Sequence, residues 1–162
     1  MKELCVIPCG NKKIWDSEPW RKAARAKHAY TGVFHKLCKQ YAARFFEDYV
    51  ILSAKHGFLR PDDWVPGPYD VSFSMRNSEV ISPSALKQQF EEKSLDTYGQ
   101  LVVLTGRKYV PVMESASGNK STLHFPLLQC NGIGYMQREL KKAVEDNRPI
   151  HSQSGQIGED ER

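Results

Sequence analysis

The sequence predicts an α/β domain in which a mainly parallel, four-stranded sheet lies between two layers of helices. Three observations lead there. Short apolar runs recur at 4–8, 50–52, 101–104 and 123–127, each with the length of a buried strand. Segments with helical spacing separate them, and alternation of this kind implies parallel strands joined by crossover helices. All four runs exit into polar or glycine-bearing segments, which a parallel sheet gathers along one edge, where ligands of open α/β sheets bind.

The first strand ends at Pro8-Cys9-Gly10-Asn11-Lys12-Lys13. Gly10 and Asn11 favour a tight turn whose amides can hold an anion, with Lys12 and Lys13 adding charge. No phosphate-binding Gly-x-x-x-x-Gly-Lys-Ser/Thr pattern is present. Pro19 is expected to open a helix running to His28, and Thr31 to cap a second one reaching about Arg44. The apolar positions of that second helix are Val33, Phe34, Leu37, Cys38, Tyr41, Ala42 and Phe45. The second strand delivers Ser53, Lys55 and His56 before Gly57 turns the chain.

Residues 58–81 carry Pro61, Pro66, Gly67 and Pro68, which disfavour helix and central strand. This long connection carries Pro68-Tyr69-Asp70, whose Asp70 is expected either to return over the strand edge or to cap a turn. Ser82-Pro83 marks a helix start, with an end near Asp96. The third strand exits at Thr105-Gly106-Arg107, before a short helix reaching about Ser117, and the fourth exits near Asn131, before a last helix with Ile133, Met136, Leu140 and Val144 on one face. Residues 1–147 are expected to form one domain and 148–162 a disordered tail.

Composition narrows the function. The 162 residues suit one domain with a core, no apolar run is long enough to span a bilayer, and the N-terminal run is too short for a signal peptide. The expected compartment is the cytoplasm, with Cys5, Cys9, Cys38 and Cys130 as free thiols. No Cys-x-x-Cys pair or His-x-x-x-His motif occurs, so neither a metal nor another cofactor is expected. Residues 1–60 hold 12 Lys and Arg against 5 Asp and Glu, whereas the remainder is net negative. Arg21, Lys22, Arg25 and Lys27, interleaved with Trp15 and Trp20, suit a nucleic-acid backbone with stacked bases, or alternatively a solvated helix face.

Together, Pro8-Cys9-Gly10-Asn11-Lys12-Lys13, Tyr30-Thr31-Gly32, Leu52-Ser53-Ala54-Lys55-His56-Gly57 and Pro68-Tyr69-Asp70 resemble an uncharacterised bacterial and phage domain family over roughly residues 4–110. More remotely, the family resembles the archaeosine synthase core domain and peroxide-stress YaaA proteins, whose Rossmann-like fold is akin to uracil-DNA glycosylase. The resemblance implies that fold and a nucleobase theme. It puts a functional lysine at Lys13, although Gly10 stands where the archaeosine synthase motif has serine.

Three functions are consistent with these residues. The first is an enzyme acting on a nucleobase in DNA or RNA, glycosylase-like or base-modifying. Lys13 would serve as nucleophile or phosphate ligand, His56 would bond the departing base, and Asp70 would orient water or stabilise charge on the sugar. Tyr69 or Trp64 would stack on the base, with Cys9, Asn11, Lys12, Ser53, Lys55, Thr105, Gly106, Arg107 and Asn131 lining the cleft. The second is a non-catalytic nucleic-acid-binding protein, and the third a site for a small nucleotide or phosphosugar.

Overall fold

The computed structural model describes residues 2–76 and 78–151. Its centre is a five-stranded sheet in the order β4-β3-β1-β6-β7. Strands β1 (Glu3–Pro8), β3 (Tyr49–Ser53), β6 (Gln100–Val103) and β7 (Thr122–His124) run parallel. Each of β1, β3 and β6 is almost wholly buried, as strands covered on both faces must be.

Side-chain alternation divides the core into two halves. Cys5, Ile7, Ile51 and Val102 face α3 (Val33–Phe45) and α6 (Ile133–Asp146), which contribute Cys38, Tyr41, Leu140 and Ala143. Leu4, Val6, Val50, Leu52, Leu101 and Val103 face α4 (Pro83–Glu92) and α5 (Val110–Ser117), which contribute Leu86, Phe90, Met113 and Ala116. The result is the expected three-layer α/β architecture of a Rossmann-like domain. Helix α4 starts as the sequence indicates: the Ser82 hydroxyl accepts from the Ala85 amide at 3.1 Å, and Pro83 opens the first turn. It ends earlier than expected, at Glu92, where Ser94 turns left-handed (φ 59°) before a 3-10 turn at Leu95–Thr97.

The sheet has one strand more than the four expected. β4 (Gly57–Leu59) pairs antiparallel with β3, so the second strand turns back as a hairpin. Gly57 makes this possible at φ +77°, and Ser53 Oγ closes the turn by accepting from the Lys55 and His56 amides. Gln89 of α4 clamps the hairpin, accepting from Phe58 N at 2.8 Å and donating to His56 O at 2.9 Å.

The expected helix over 19–28 does not form. Instead α1 (Ile14–Ser17) and α2 (Ala26–Ala29) are single turns, and β2 (Ala24–Arg25) pairs with β5 (Trp64–Val65). Ala26 N bonds Asp63 O and Lys27 N bonds Pro61 O, so a distant segment takes the amides a helix would have used. Trp15 is core, its indole donating to Lys22 O at 2.8 Å. Gly32, not Thr31, caps α3, and Val33 and Ile133 lie exposed at the starts of α3 and α6 instead of facing the sheet.

The start of the expected tail packs against the domain. Ile150 N donates to Tyr41 Oη, and buried His151 bonds the same hydroxyl at 2.5 Å while stacking on Phe46. The rest of that segment, 152–162, lies outside the described residues. No helix among the described residues is long and apolar enough to cross a membrane.

Candidate functional site

The loop after β1 divides the strand-exit edge into two adjoining regions. Cys9 and Lys13 turn toward the β3 exit, whereas Pro8, Gly10, Asn11 and Lys12 line an open groove beside the β6 exit.

The first region is a buried polar cluster. Lys13 is only 5% exposed. Its amide donates to Asp16 Oδ2 at 2.9 Å and its backbone bridges to Tyr30, which fixes the residue at the start of α1. Its amine donates to Asn11 O at 3.0 Å and sits 4.5 Å from the centre of the Tyr69 ring. Among the described residues it has no carboxylate partner. The Tyr69 hydroxyl lies 2.8 Å from Ser53 Oγ and 2.5 Å from Tyr30 Oη. Ser53 Oγ already accepts two amide hydrogens, so its own proton points to Tyr69. Tyr69 is thereby left to donate toward Tyr30 or the Cys9 thiol. His56 meets the Tyr69 ring edge-on, with centroids 5.0 Å apart.

Burial keeps the phenols, the thiol and the imidazole of this cluster neutral. It pushes the Tyr69 phenol far above the usual tyrosine range and Tyr30 up to about 12. It also raises the Cys9 thiol, a shift that the nearby Lys13 charge opposes. Burial and then the Lys55 charge lower His56, leaving a neutral imidazole at neutral pH. The region therefore offers a fixed amine, a phenol able to donate and a neutral imidazole.

The second region is a groove of about 650 Å³ between the starts of α3 and α6. Lys12, Arg107 and Lys108 line it, together with the apolar Val33, Phe34, Ile133 and Met136, and among the described residues no Asp or Glu does. Thr105 and Gly106 lie in its wall. Tyr109 links the regions: it lines the groove near Cys9, and burial pushes its phenol up to about 12.

The other expected residues lie apart. Tyr69, and not Asp70, turns in over the strand edge. Asp70 is exposed and makes no hydrogen bond or ion pair among the described residues. Asn131 lines a separate depression with Gln129, Cys130, Tyr135 and Glu139. Lys55 pairs with Glu79 at 3.7 Å. Much of the basic stretch is engaged locally, as a solvated face would be: Arg21 pairs with Glu18 at 3.0 Å, Lys27 pairs with Asp62 at 2.8 Å, and Arg25 lies 4.0 Å over Trp64. Lys22 is exposed. Tyr30, His35, Lys108 and Tyr109 are site residues beyond those expected. Tyr30 stood in view in Tyr30-Thr31-Gly32, a segment whose glycine reads as a helix break. Among the described residues, no group of three or more His, Cys, Asp or Glu could hold a metal ion.

Residues 4–142 match the model of a family of unknown function, DUF6884, and the chain belongs to that family. It is also similar to the uncharacterized protein YfjM of Bacillus subtilis (strain 168), with 47% identity over 150 residues, covering 93% of this chain and all of that protein.

Proposed function

We propose that this member of the family acts on a nucleobase in DNA or RNA, with the base against the Lys13–Tyr69–His56 cluster. One observation carries the reading. Lys13 holds its amine almost out of water against an aromatic face and a single carbonyl, with no carboxylate among the described residues to satisfy it. A buried amine in such a setting lacks a partner that a substrate oxygen or ring nitrogen can supply. Tyr69 stands beside it, and His56 against the Tyr69 ring, as neutral hydrogen-bonding groups of the kind that stabilise a departing or reacting base. The remote resemblance of Pro8-Cys9-Gly10-Asn11-Lys12-Lys13 to the first-strand motif of the archaeosine synthase core domain suggests the same theme. The local pairing of Arg21, Arg25 and Lys27 weighs against a role limited to backbone binding.

A titration against single-stranded DNA, duplex DNA and transfer RNA at several salt concentrations tests this reading. Salt-sensitive binding to one polymer, followed by release or alteration of one of its bases, is the expected result. Absence of binding to all three at low salt would overturn it.

A further inference from the structure

We infer that the groove between α3 and α6 is a phosphate site that takes the phosphate of a nucleotide. The inference rests on the reading of this edge as a nucleobase site and names the part of the ligand held beside the Lys13 cluster. Helices α3 and α6 are long, and both begin at the groove. Their N-cap residues are Gly32 and Gly132, which have no side chain to bond the first-turn amides. Two helix starts converging on one opening favour an anion there. Among the described residues, Lys12, Arg107 and Lys108 line it without a carboxylate partner, and no acidic residue shares the wall.

Two buried side chains of the lining independently point to a ligand. Thr105 is fully buried, yet among the described residues its hydroxyl has no hydrogen-bond partner. His35 is 1% exposed, and its Nε2 is likewise unpartnered. Its other ring nitrogen lies 2.8 Å from Pro8 O, which fixes Nδ1 as the N–H donor. Burial lowers the imidazole to about 4, so Nε2 is an acceptor at neutral pH. The lining of the groove thus holds a hydroxyl and a ring nitrogen that need partners, together with three cations and the starts of two helices. A phosphate supplies oxygens for the cations and for Thr105, and a sugar hydroxyl supplies the donor that His35 lacks. The apolar side, Val33, Phe34, Ile133 and Met136, suits the body of such a ligand.

The test compares thermal shifts and calorimetric binding of orthophosphate, nucleosides, nucleoside monophosphates and short oligonucleotides with and without a terminal phosphate. Wild-type protein is set against Thr105→Val and Lys12→Gln/Arg107→Gln. Nucleoside monophosphates are expected to bind and nucleosides not, and each variant should weaken binding at least about tenfold. Thr105→Val replaces an unpaired buried hydroxyl by a methyl, so it should keep or raise the melting temperature while losing the ligand. Preference for a terminally phosphorylated oligonucleotide over a monophosphate would assign the phosphate to a polymer end. Unchanged binding in both variants, or equal binding of nucleosides and their monophosphates, would overturn the inference. Base chemistry that persists in both variants on substrates lacking a terminal phosphate would overturn it while leaving the nucleobase reading intact.

Discussion

Acid should destabilise this fold through two buried histidines. His35 is packed against Tyr30 and the Pro8 carbonyl, and His151 against Tyr41 and Phe46. Burial lowers each from the ordinary 6.5 to about 4. Their folded-state pKa values are depressed, so the unfolded chain takes up protons first. The stabilisation is present above pH 6.5 and is lost as pH falls toward 4. With those values, moving from about pH 7.5 to about pH 5 removes roughly 2 kcal/mol per histidine, about 4 kcal/mol in all. His151→Phe isolates one half, because the ring can still stack on Phe46 while the titrating group is gone. Urea midpoints at the two pH values give the drop for each protein. The variant should lose about 2 kcal/mol less than wild type over this interval. Exposed carboxylates such as Asp62 and Glu91 titrate alike in both proteins and cancel from the difference. An identical drop in the two proteins would refute the assignment to His151.

Three further outcomes follow from named contacts. Tyr69→Phe removes the hydroxyl shared by Ser53 and Tyr30 and should cost about 1–3 kcal/mol in a urea melt, because two buried groups lose a partner. Gly57→Ala should destabilise by at least about 1 kcal/mol, since φ is +77° and the new methyl meets the Gln89 side chain; loss of the Gln89 bond should also speed hydrogen exchange at Phe58 N. Phe90→Ala empties the centre of the α4 half of the core and should cost about 3–5 kcal/mol by the same melt.

Strands β1, β3 and β6 were legible because they are buried on both faces and so read as unbroken apolar runs, whereas β7 is only half-buried and stops at His124, short of the expected 127. Ser82-Pro83 was legible because a helix start is set by local chemistry. The segment over 19–28 was not, because its conformation depends on Pro61 and Asp63, more than 30 residues away, which claim the amides of Lys27 and Ala26. β4 was hidden for a related reason: Gly57 looks like the end of a strand, and only the return pairing with Ser53 makes it the start of another.

The site was legible as an edge and not as a geometry. The strand exits did deliver Cys9, Lys13, Ser53, His56 and Thr105 to one side of the sheet. The β1 loop then parted them, sending Lys13 to the cluster and Lys12 to the groove. Pro68-Tyr69-Asp70 does fold back over the edge, yet it inserts the phenol and leaves the carboxylate outside, a choice decided by the hydroxyls of Ser53 and Tyr30 waiting there. Nothing in the spacing of α3 singles out His35. Its burial comes from the Pro8 carbonyl of a strand far earlier in the chain.

The central claim is chemistry on a base at Lys13. Its most direct test is mass spectrometry of the free bases and nucleosides from DNA and transfer RNA after incubation with wild-type protein and Lys13→Met. Wild type should release or alter one base, and Lys13→Met, still folded by circular dichroism, should do so at least about a hundredfold more slowly. An Asp70→Asn control should stay within about tenfold of wild type, since its carboxylate faces solvent. Saturable binding with every base unchanged, or full activity in Lys13→Met, would contradict the account.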